Sequence, residues 1–513
     1  MTDSNNRTIA KNTVFLYSRL VIIILVTLYT SRVTLKVLGI DDYGIYQSVA
    51  GVVSFLAFLN TALATGTSRF ITFEMGKKEP KAAELFSTLR TAHLILAAAV
   101  FLIGEIIGLW FIYNRLVIPP DRFAAAVFAF HFSMAATFVQ ITQVPYNATI
   151  IAHEKMNIYA YISLLEAVLK LLLVFALKVI LFDKLQVYSV LMCVTTVLIM
   201  MTYRIYCRKA FPETRARFGF DGKLFKDVAA FSSWSLFSST ASALANQGVT
   251  VVTNMFFAPA TVSLRSLALT VNNALNVFIS NFRTAVNPQI VKKYAAGDHQ
   301  GSKKLALAST QYTYYLMMLI VLPLFLLLDP VLKIWLDEVP EGLVPFVQLA
   351  LIQGLFQAID TSLYAAIYAK GRIKENALIS PLLDFIQLPV IYVLFLLGFP
   401  PVTLAWVAAA CYAVLAFIVK PVLVHVIAGY EYGAVMKMLG RCMAVTVVSA
   451  VLPVVSSIML DENTVSGFIV ILLVSLFSSA AVIWTLGIDK NMRKLITSWL
   501  KELPRRTHNG GLK

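Results

Sequence analysis

The residues of this chain that could do chemistry are cations that stand inside long apolar runs. Five arginines and one lysine occupy such positions: Arg19, Arg32, Arg69, Arg265, Arg283 and Lys170. An arginine at the centre of a bilayer costs about 2.5–3.5 kcal/mol on insertion scales, so these groups need protein, water or an anion beside them. Guanidinium groups hold phosphate and pyrophosphate with paired hydrogen bonds. The set predicts an anion-binding site at membrane depth, and the alternative is that those near helix ends extend their charged groups to the interface.

Three carboxylates also lie inside apolar runs. Glu166 precedes Lys170 by one helical turn, a spacing at which the two charges can neutralise each other. Asp360 lies in the middle of its run, and Asp384 has no lysine at the spacing that Glu166 has. An intramembrane carboxylate is by default a functional group, here a site for a coupling proton or sodium ion. The alternative is a carboxylate that pairs with one of the arginines.

The elements that must position these residues are membrane-spanning helices, which need about 20 apolar residues each. We predict about fourteen spans, approximately at residues 13–38, 44–73, 91–113, 122–148, 157–180, 187–205, 226–257, 262–288, 306–328, 343–369, 376–398, 401–427, 440–460 and 465–487. The composition agrees, because 59% of the residues are hydrophobic and only 14% are charged. The predicted fold class is therefore all-α and polytopic.

The charge of the connecting loops predicts the orientation of the chain. Loops that follow even-numbered spans are basic, with members such as Lys77, Lys78, Arg208, Lys209, Lys370 and Arg372. Loops that follow odd-numbered spans are short and often acidic, as at Asp41-Asp42 and Asp461-Glu462. The positive-inside rule then places both termini in the cytoplasm. The net charge of +16 is accounted for as this topological signal, so we expect no nucleic-acid partner.

Motifs of common enzymes are missing from the sequence. There is no G-x-x-x-x-G-K-[ST] loop for a nucleotide and no H-E-x-x-H zinc motif. The four cysteines lie far apart and form neither a disulfide framework nor a metal set. We therefore expect a protein that is not an enzyme and that holds no metal or cofactor other than Na⁺ or H⁺ as a coupling ion.

Two short patterns recur 218 residues apart: Tyr146-Asn147-Ala148 with Tyr364-Ala365-Ala366, and Ile162 to Glu166 with Ser380 to Asp384. The recurrence predicts two parallel copies of a six-helix unit, with the substrate site between them near the midplane. The predicted domains are an N-terminal bundle at 1–205, a cytoplasmic linker at 206–225, a C-terminal bundle at 226–427, two added helices at 428–487 and an amphipathic cytoplasmic tail at 488–513.

The arginine-bearing first span, the turn L-G-I-D-D-Y-G-I-Y (Leu38 to Tyr46) and T-S-R-F-I-T-F-E-M-G-K-K (Thr67 to Lys78) resemble the lipid-linked oligosaccharide flippases of O-antigen type. These belong to the multidrug/oligosaccharidyl-lipid/polysaccharide (MOP) exporter superfamily. The resemblance implies two bundles around a V-shaped cationic cavity in a bacterial inner membrane. It also implies alternating-access transport of an undecaprenyl-pyrophosphate-linked glycan to the periplasmic leaflet, in contact with membrane lipid and with polysaccharide polymerase machinery as a partner.

On that resemblance, Arg19, Arg69 and Arg283 are the leading headgroup candidates, and Asp360 and Asp384 the candidates for coupling. Three alternatives remain. A multidrug cation antiporter of the same superfamily should line its cavity with acids and aromatics. A peptidoglycan lipid flippase should share the cationic cavity. A glycan polymerase or ligase should carry a large catalytic periplasmic loop, and the longest outer loop here, Asp329 to Gly342, is short.

Overall fold

The structure, a computed structural model, describes residues 2–56, 81–153, 155–215, 219–226, 247–370 and 374–489, with the single positions 67, 70, 71, 74 and 493. Side chains of residues 2–21 and 281–285 are outside the description. The predicted amphipathic tail at 488–513 lies almost wholly beyond these ranges, and so does most of the predicted span at 226–257.

The described chain folds into fifteen α-helices, and no strand occurs among the residues described. They are α1 (Thr2–Leu56), α2 (Ala82–Asn114), α3 (Phe123–Ala152), α4 (Met156–Val179), α5 (Lys184–Ala210), α6 (Val249–Phe256), α7 (Pro259–Ala295), α8 (His299–Leu326), α9 (Leu328–Leu336), α10 (Leu343–Lys370), α11 (Lys374–Leu396), α12 (Thr403–Val414), α13 (Lys420–Ala428), α14 (Tyr432–Met459) and α15 (Val465–Val482). Short π-helical turns, Leu415–Val419 and Ile483–Gly487, follow α12 and α15.

Eleven helical segments in the described ranges are long and apolar enough to cross a membrane. The first of them, Ile22–Val53, overlaps the two predicted spans 13–38 and 44–73, and the other ten match one predicted span each. Helix α7 covers the predicted span at 262–288 with a more polar helix. A lipid environment supplies no partner for backbone N–H and C=O groups, so helices that satisfy these groups internally are the expected solution. The prediction of an all-α, multi-pass membrane protein is confirmed.

Helix α1 breaks where the sequence predicted a turn. Gly39 has φ 80° and ψ 169°, a non-helical conformation that glycine adopts without the penalty a side chain would incur. The first predicted span therefore ends at Gly39, and the second begins directly after it. Gly44 then comes so close to Pro259 that an added Cβ would lie 1.9 Å from the Pro259 carbonyl oxygen. The second segment of α1 packs at that point against the start of α7.

Two segments differ from the prediction. The stretch from Asp329 to Gly342 was expected to be a loop, but residues Leu328–Leu336 form α9, whose leucines Leu328, Leu332 and Leu336 are buried. Helix α14 begins at Tyr432, eight residues before the predicted start at 440. Both misjudged stretches mix polar and apolar residues, and burial of the apolar ones made them helical.

The chain divides into two compact units, Met1–Thr270 with Ala377–Val407 and Val271–Asn376 with Ala408–Lys513. In the first unit α3 packs on α2 and α5, and α1 packs on α4. Its core includes Ile45, Val49, Phe130 and Met134. In the second unit α8 packs on α10 and α14, and α10 also packs on α13. The predicted domain boundaries stay predictions.

Candidate functional site

The exposed face of α1 carries Arg32, one of the predicted cations, and a second cation, Lys36. Ile22, Leu25 and Tyr29 are exposed at helical spacing, and Arg32 and Lys36 continue the same face. Arg32 is half-buried and Lys36 is exposed, and both lie within the candidate span Ile22–Val53. One helical turn separates them, so the two positive charges lie side by side at membrane depth.

Arg265 has a different environment. Its side chain is only 6% exposed, near the start of α7, and its Nη1 donates to Thr250 Oγ1 of α6. This buried hydrogen bond connects α6 to α7 within the first unit. Its role as a substrate-binding residue stays a prediction.

Three predicted cations cannot be placed in the site. Arg19 lies in α1 and Arg283 lies in α7, but their side chains are outside the description. Arg69 lies wholly outside the described residues. Their predicted contact with a pyrophosphate therefore stays a prediction.

Glu166 and Lys170 are brought together by the structure, with 2.6 Å between Oε1 and Nζ. Their side chains are 43% and 42% exposed on α4, so each neutralises the other on the surface of the first unit. Asp384 of α11 accepts a hydrogen bond of 3.3 Å from Gln387 Nε2, one turn further on. The sequence has no lysine one helical turn after Asp384, at the place that Lys170 has after Glu166. The carboxamide of Gln387 binds Asp384 from that turn.

Asp360 pairs with a residue that the sequence reading did not select. Lys420 Nζ lies 3.3 Å from Asp360 Oδ1, and the two residues are only 2% and 8% exposed. The ammonium also donates to Asn376 Oδ1 and lies 5.5 Å from the centre of the Tyr364 ring. Asp360 therefore has a lysine as an ion-pair partner, and the predicted pairing of a carboxylate with one of the arginines stays a prediction. All four groups belong to the second unit.

A signal in the sequence could have revealed Lys420. It stands alone in the apolar run L-A-F-I-V-K-P-V-L-V, and a charge in such a run is a candidate functional group. The π-helical turn Leu415–Val419 ends where Lys420 begins, and such turns recur at functional positions.

The first unit contains a related arrangement. Arg204 of α5 donates from Nε to the Tyr146 hydroxyl at 3.2 Å, and its guanidinium lies 5.7 Å from the centre of that ring. Tyr146 and Tyr364 are the tyrosines that recur 218 residues apart, and each has a cation over its ring. The residue at the place of Asp360 in the first copy is Thr142, which carries no charge. The carboxylate is therefore a feature of the second copy.

A second ion cluster joins three helices at one end of the first unit. Arg122 donates from Nε to Asp42 Oδ1 at 2.8 Å and from Nη1 to Asp183 Oδ2 at 2.7 Å. Burial opposes ionisation of Asp183, but the hydrogen bonds from Arg122 and from the Gln186 N–H, with the Arg122 charge, outweigh it and hold the pKa of this carboxyl below its ordinary value. The cluster fixes the starts of α3 and α5 to the segment of α1 after Gly39.

No cluster of three or more histidine, cysteine, aspartate or glutamate side chains suited to a metal ion occurs in the part of the chain that the structure describes. What the arrangement offers chemically is charge at membrane depth: two cations on an exposed helix face and a buried ion pair.

No protein-family model matches this sequence, and no curated protein matches it. Solved structures do match. The lipid II flippase MurJ in its inward closed conformation has a TM-score of 0.64 at 10% identity, over 90% of this chain and 98% of that chain. An inward-facing multidrug resistance MATE transporter of the MOP superfamily has a TM-score of 0.65 at 14% identity, over 80% of this chain and 96% of that chain.

A third match is a MOP superfamily transporter from Pyrococcus furiosus, described as having a binding pocket of reversed polarity that suggests a different function. Its TM-score is 0.53 at 13% identity, over 79% of this chain and 96% of that chain. At such identities the likeness establishes the fold. The chain has the fold of MOP-type transporters, and its structural neighbours are transporters.

Proposed function

We propose that this protein is a flippase for a polyprenyl-pyrophosphate-linked oligosaccharide. It moves the lipid-linked glycan by alternating access from the cytoplasmic to the periplasmic leaflet of a bacterial inner membrane, with both termini cytoplasmic. The protein acts in the biosynthesis of a surface polysaccharide, O-antigen or capsule. The polymerase machinery then uses the glycan that it has moved. Membrane lipid surrounds it, and no nucleic acid takes part.

The observation that carries the proposal is the pair of cations on the exposed face of α1. Arg32 and Lys36 lie within a candidate span, where a positive charge is costly and draws protein, water or an anion to it. Arginine forks suit the geminal oxygens of a phosphate, and lysine adds a point charge. A pyrophosphate carried through the membrane region is an anion of the right kind, whereas an organic cation would be repelled.

The fold supports a transporter, but it does not determine the charge of the transported substrate, which depends on the side chains. The match to MurJ spans 90% of this chain and the match to the MATE transporter spans 80%. MurJ is named for lipid II, which is a lipid-linked substrate. The Pyrococcus furiosus transporter illustrates that this fold accommodates pockets of different polarity. These matches are consistent with a lipid-linked cargo, and the preference for an anion over a drug cation rests on the cations of α1.

The test measures glycan flipping in sealed proteoliposomes loaded with an undecaprenyl-pyrophosphate-linked oligosaccharide. We expect the wild type to expose the glycan to a non-permeant reagent and the double variant Arg32→Ala, Lys36→Ala to slow this at least about tenfold. Each lost hydrogen bond to a charged group is worth about 1.5–3 kcal/mol, and 1.4 kcal/mol corresponds to a factor of ten.

Lys178→Ala is the matched control, since Lys178 is an exposed lysine in the last turn of α4, where its Nζ lies 5.5 Å from the Phe175 ring. It should flip glycan at the wild-type rate. A wild type that moves no glycan but extrudes an organic cation such as ethidium would overturn the proposal in favour of the multidrug alternative. Transport of lipid II in a parallel assay, with no transport of other lipid-linked glycans, would assign the protein to the peptidoglycan pathway instead.

A further inference from the structure

The buried pair of Asp360 and Lys420 lies deep in the second unit. Asp360 is ten residues from the end of α10 at Lys370, about 15 Å along the helix, and Lys420 is about 12 Å from the end of α13. On α13, Lys420 shares the buried face with Leu423, Val424 and Ile427, whereas Val422 and Val426 are exposed. The lysine thus points into the unit and not toward lipid.

The backbone around Lys420 departs from a regular α-helix where the side chain turns into the unit. Pro421 has no N–H and would clash with the carbonyl four residues earlier in a regular helix. The π-helical turn Leu415–Val419 widens the backbone at that place. In the first copy α5 runs unbroken from Lys184 to Ala210 past Arg204, which has no following proline. The second copy therefore differs in three linked features: the π turn, the lysine and the carboxylate.

The chemistry of the two copies differs accordingly. Arg204 remains charged at any accessible pH and is bound to a tyrosine, so it does not itself change protonation state. In the second copy a carboxylate and an amine, both able to change protonation state, are in contact. A buried pair of this kind is neutral as a unit, and removing one partner leaves an uncompensated charge.

We propose that Asp360 and Lys420 form the proton-binding site of the transport cycle, in which the tethered ammonium of Lys420 occupies the place that a metal cation would take beside Asp360. The inference rests on the proposed function for its place in a transport cycle, and it names the coupling ion as H⁺ and not Na⁺. A proton from water binds one Asp360 oxygen and cancels its charge, which breaks the ion pair while Lys420 keeps its contact with Asn376. Release of that proton to water restores the pair, so that one proton is taken up and one is given back.

Titratable groups lie on several of the helices around the pair. On α10 the Tyr364 ring faces the ammonium, and on α11 Glu375 is a half-buried neighbour of Asn376. His425 of α13 is hydrogen-bonded through Nδ1 to the Tyr430 carbonyl. On α14, which packs against α13, Lys437 is exposed and Arg441 pairs with Asp489 at 2.7 Å. Glu375, the half-buried carboxyl next to Asn376, is the group that the experiment has to separate from Asp360.

The first experiment measures the effect of sodium on thermal unfolding of the purified full-length protein, with choline chloride at equal ionic strength as reference. We expect no sodium-specific shift for the wild type, because Lys420 fills the cation position. Lys420→Ala leaves the oxygens of Asp360 and Asn376 around a vacated place, and hard cations take oxygen ligands. The thermal unfolding midpoint of Lys420→Ala should therefore rise with the logarithm of the sodium concentration, as expected for a ligand that binds the folded state.

Two variants control this result. Asp360→Asn combined with Lys420→Ala should lose the sodium response, and Arg204→Ala, the matched change in the first copy, should never gain one. A sodium-specific shift in the wild type would overturn the inference. The wild-type measurement decides this even where a variant fails to fold.

The second experiment follows the infrared band of protonated carboxyl groups while the reconstituted protein is acidified. A band that is present in the wild type and in Glu375→Gln, but missing in Asp360→Asn with Lys420→Ala, supports the site. A band that survives in the double variant or vanishes in Glu375→Gln assigns the proton elsewhere and overturns it. Neither experiment contains a glycan lipid, so failure of the flippase proposal would appear separately, in the transport assay.

Discussion

Single residues of the stretch from Leu38 to Tyr46 form a joint between two helical segments. Gly39 supplies the positive φ that breaks the helix, and Asp42 accepts from Arg122. Ile45 is fully buried, and Tyr46 packs edge to face on Tyr188 with 4.7 Å between ring centres. The described contacts of the stretch from Leu38 to Tyr46, which contributes to the family resemblance, are therefore contacts between helices.

Gly44 in this joint gives a prediction about stability. Gly44→Ala should destabilise the protein, because the new Cβ would lie 1.9 Å from the Pro259 oxygen and overpacking costs about 1–3 kcal/mol. Gly440→Ala in α14 is the matched control, since nothing lies within 4 Å of its added Cβ and alanine is the better helix former. Thermal unfolding should show a lower midpoint for the first and an equal or higher one for the second. Equal midpoints for Gly44→Ala and the wild type would contradict the close approach of α1 and α7.

At the scale of elements, Arg122 acts as a tie between helices. Its guanidinium binds carboxylates from α1 and from the turn before α5, and it stands itself at the start of α3. Asp183 also caps α5 by accepting from the Gln186 N–H at 3.0 Å. Paired Arg–carboxylate hydrogen bonds are geometrically specific as well as strong, so the three helix ends are held in a defined arrangement.

This tie predicts a pH dependence of stability. Because the folded-state pKa of Asp183 lies below its ordinary value, its ionised form stabilises the fold at neutral pH. That contribution is complete above the ordinary carboxyl pKa of about 3.9 and is lost as the pH falls through the folded-state value. Asp183→Asn should therefore unfold at a lower temperature than the wild type at pH 7, and the two midpoints should converge as the pH is lowered below about 4.

Asp461 is the comparison for this measurement. It is an exposed aspartate whose pKa is held low by the backbone N–H and the side chain of Asn463 within its own turn. Asp461→Asn should change the midpoint much less than Asp183→Asn, since no other helix depends on it. A pH-independent difference for Asp183→Asn would show that the ion pair does not contribute through charge.

For the whole molecule, the distribution of loop charge predicts an orientation that can be measured directly. We expect a reporter that is fluorescent only in the cytoplasm to be active when it is fused to either terminus, because the loops after even-numbered spans hold the excess of lysine and arginine. Insertion of the same reporter in the turn between α14 and α15, at Asp461–Thr464, should leave it inactive. The opposite pattern would reverse the assignment of the two leaflets.

The sequence by itself determined the class of protein, the all-α fold, most of the spans and the place of the break near Gly39. These follow from the apolar content of about 20 consecutive residues and from glycine's freedom at positive φ, both of which are local properties. The 218-residue recurrence also predicted which tyrosines would hold equivalent places, and the cations over Tyr146 and Tyr364 agree with it.

The tertiary structure decided which charges meet. Arg265 and Arg32 look alike in an apolar run, yet one is buried against Thr250 and the other stands on an exposed face. Lys420 lies 60 residues from Asp360, and only the packing of α13 on α10, after a π turn, brings their charges to 3.3 Å. The physical reason is that a side chain's partner depends on which helix faces pack together, and spacing along one helix cannot reveal that.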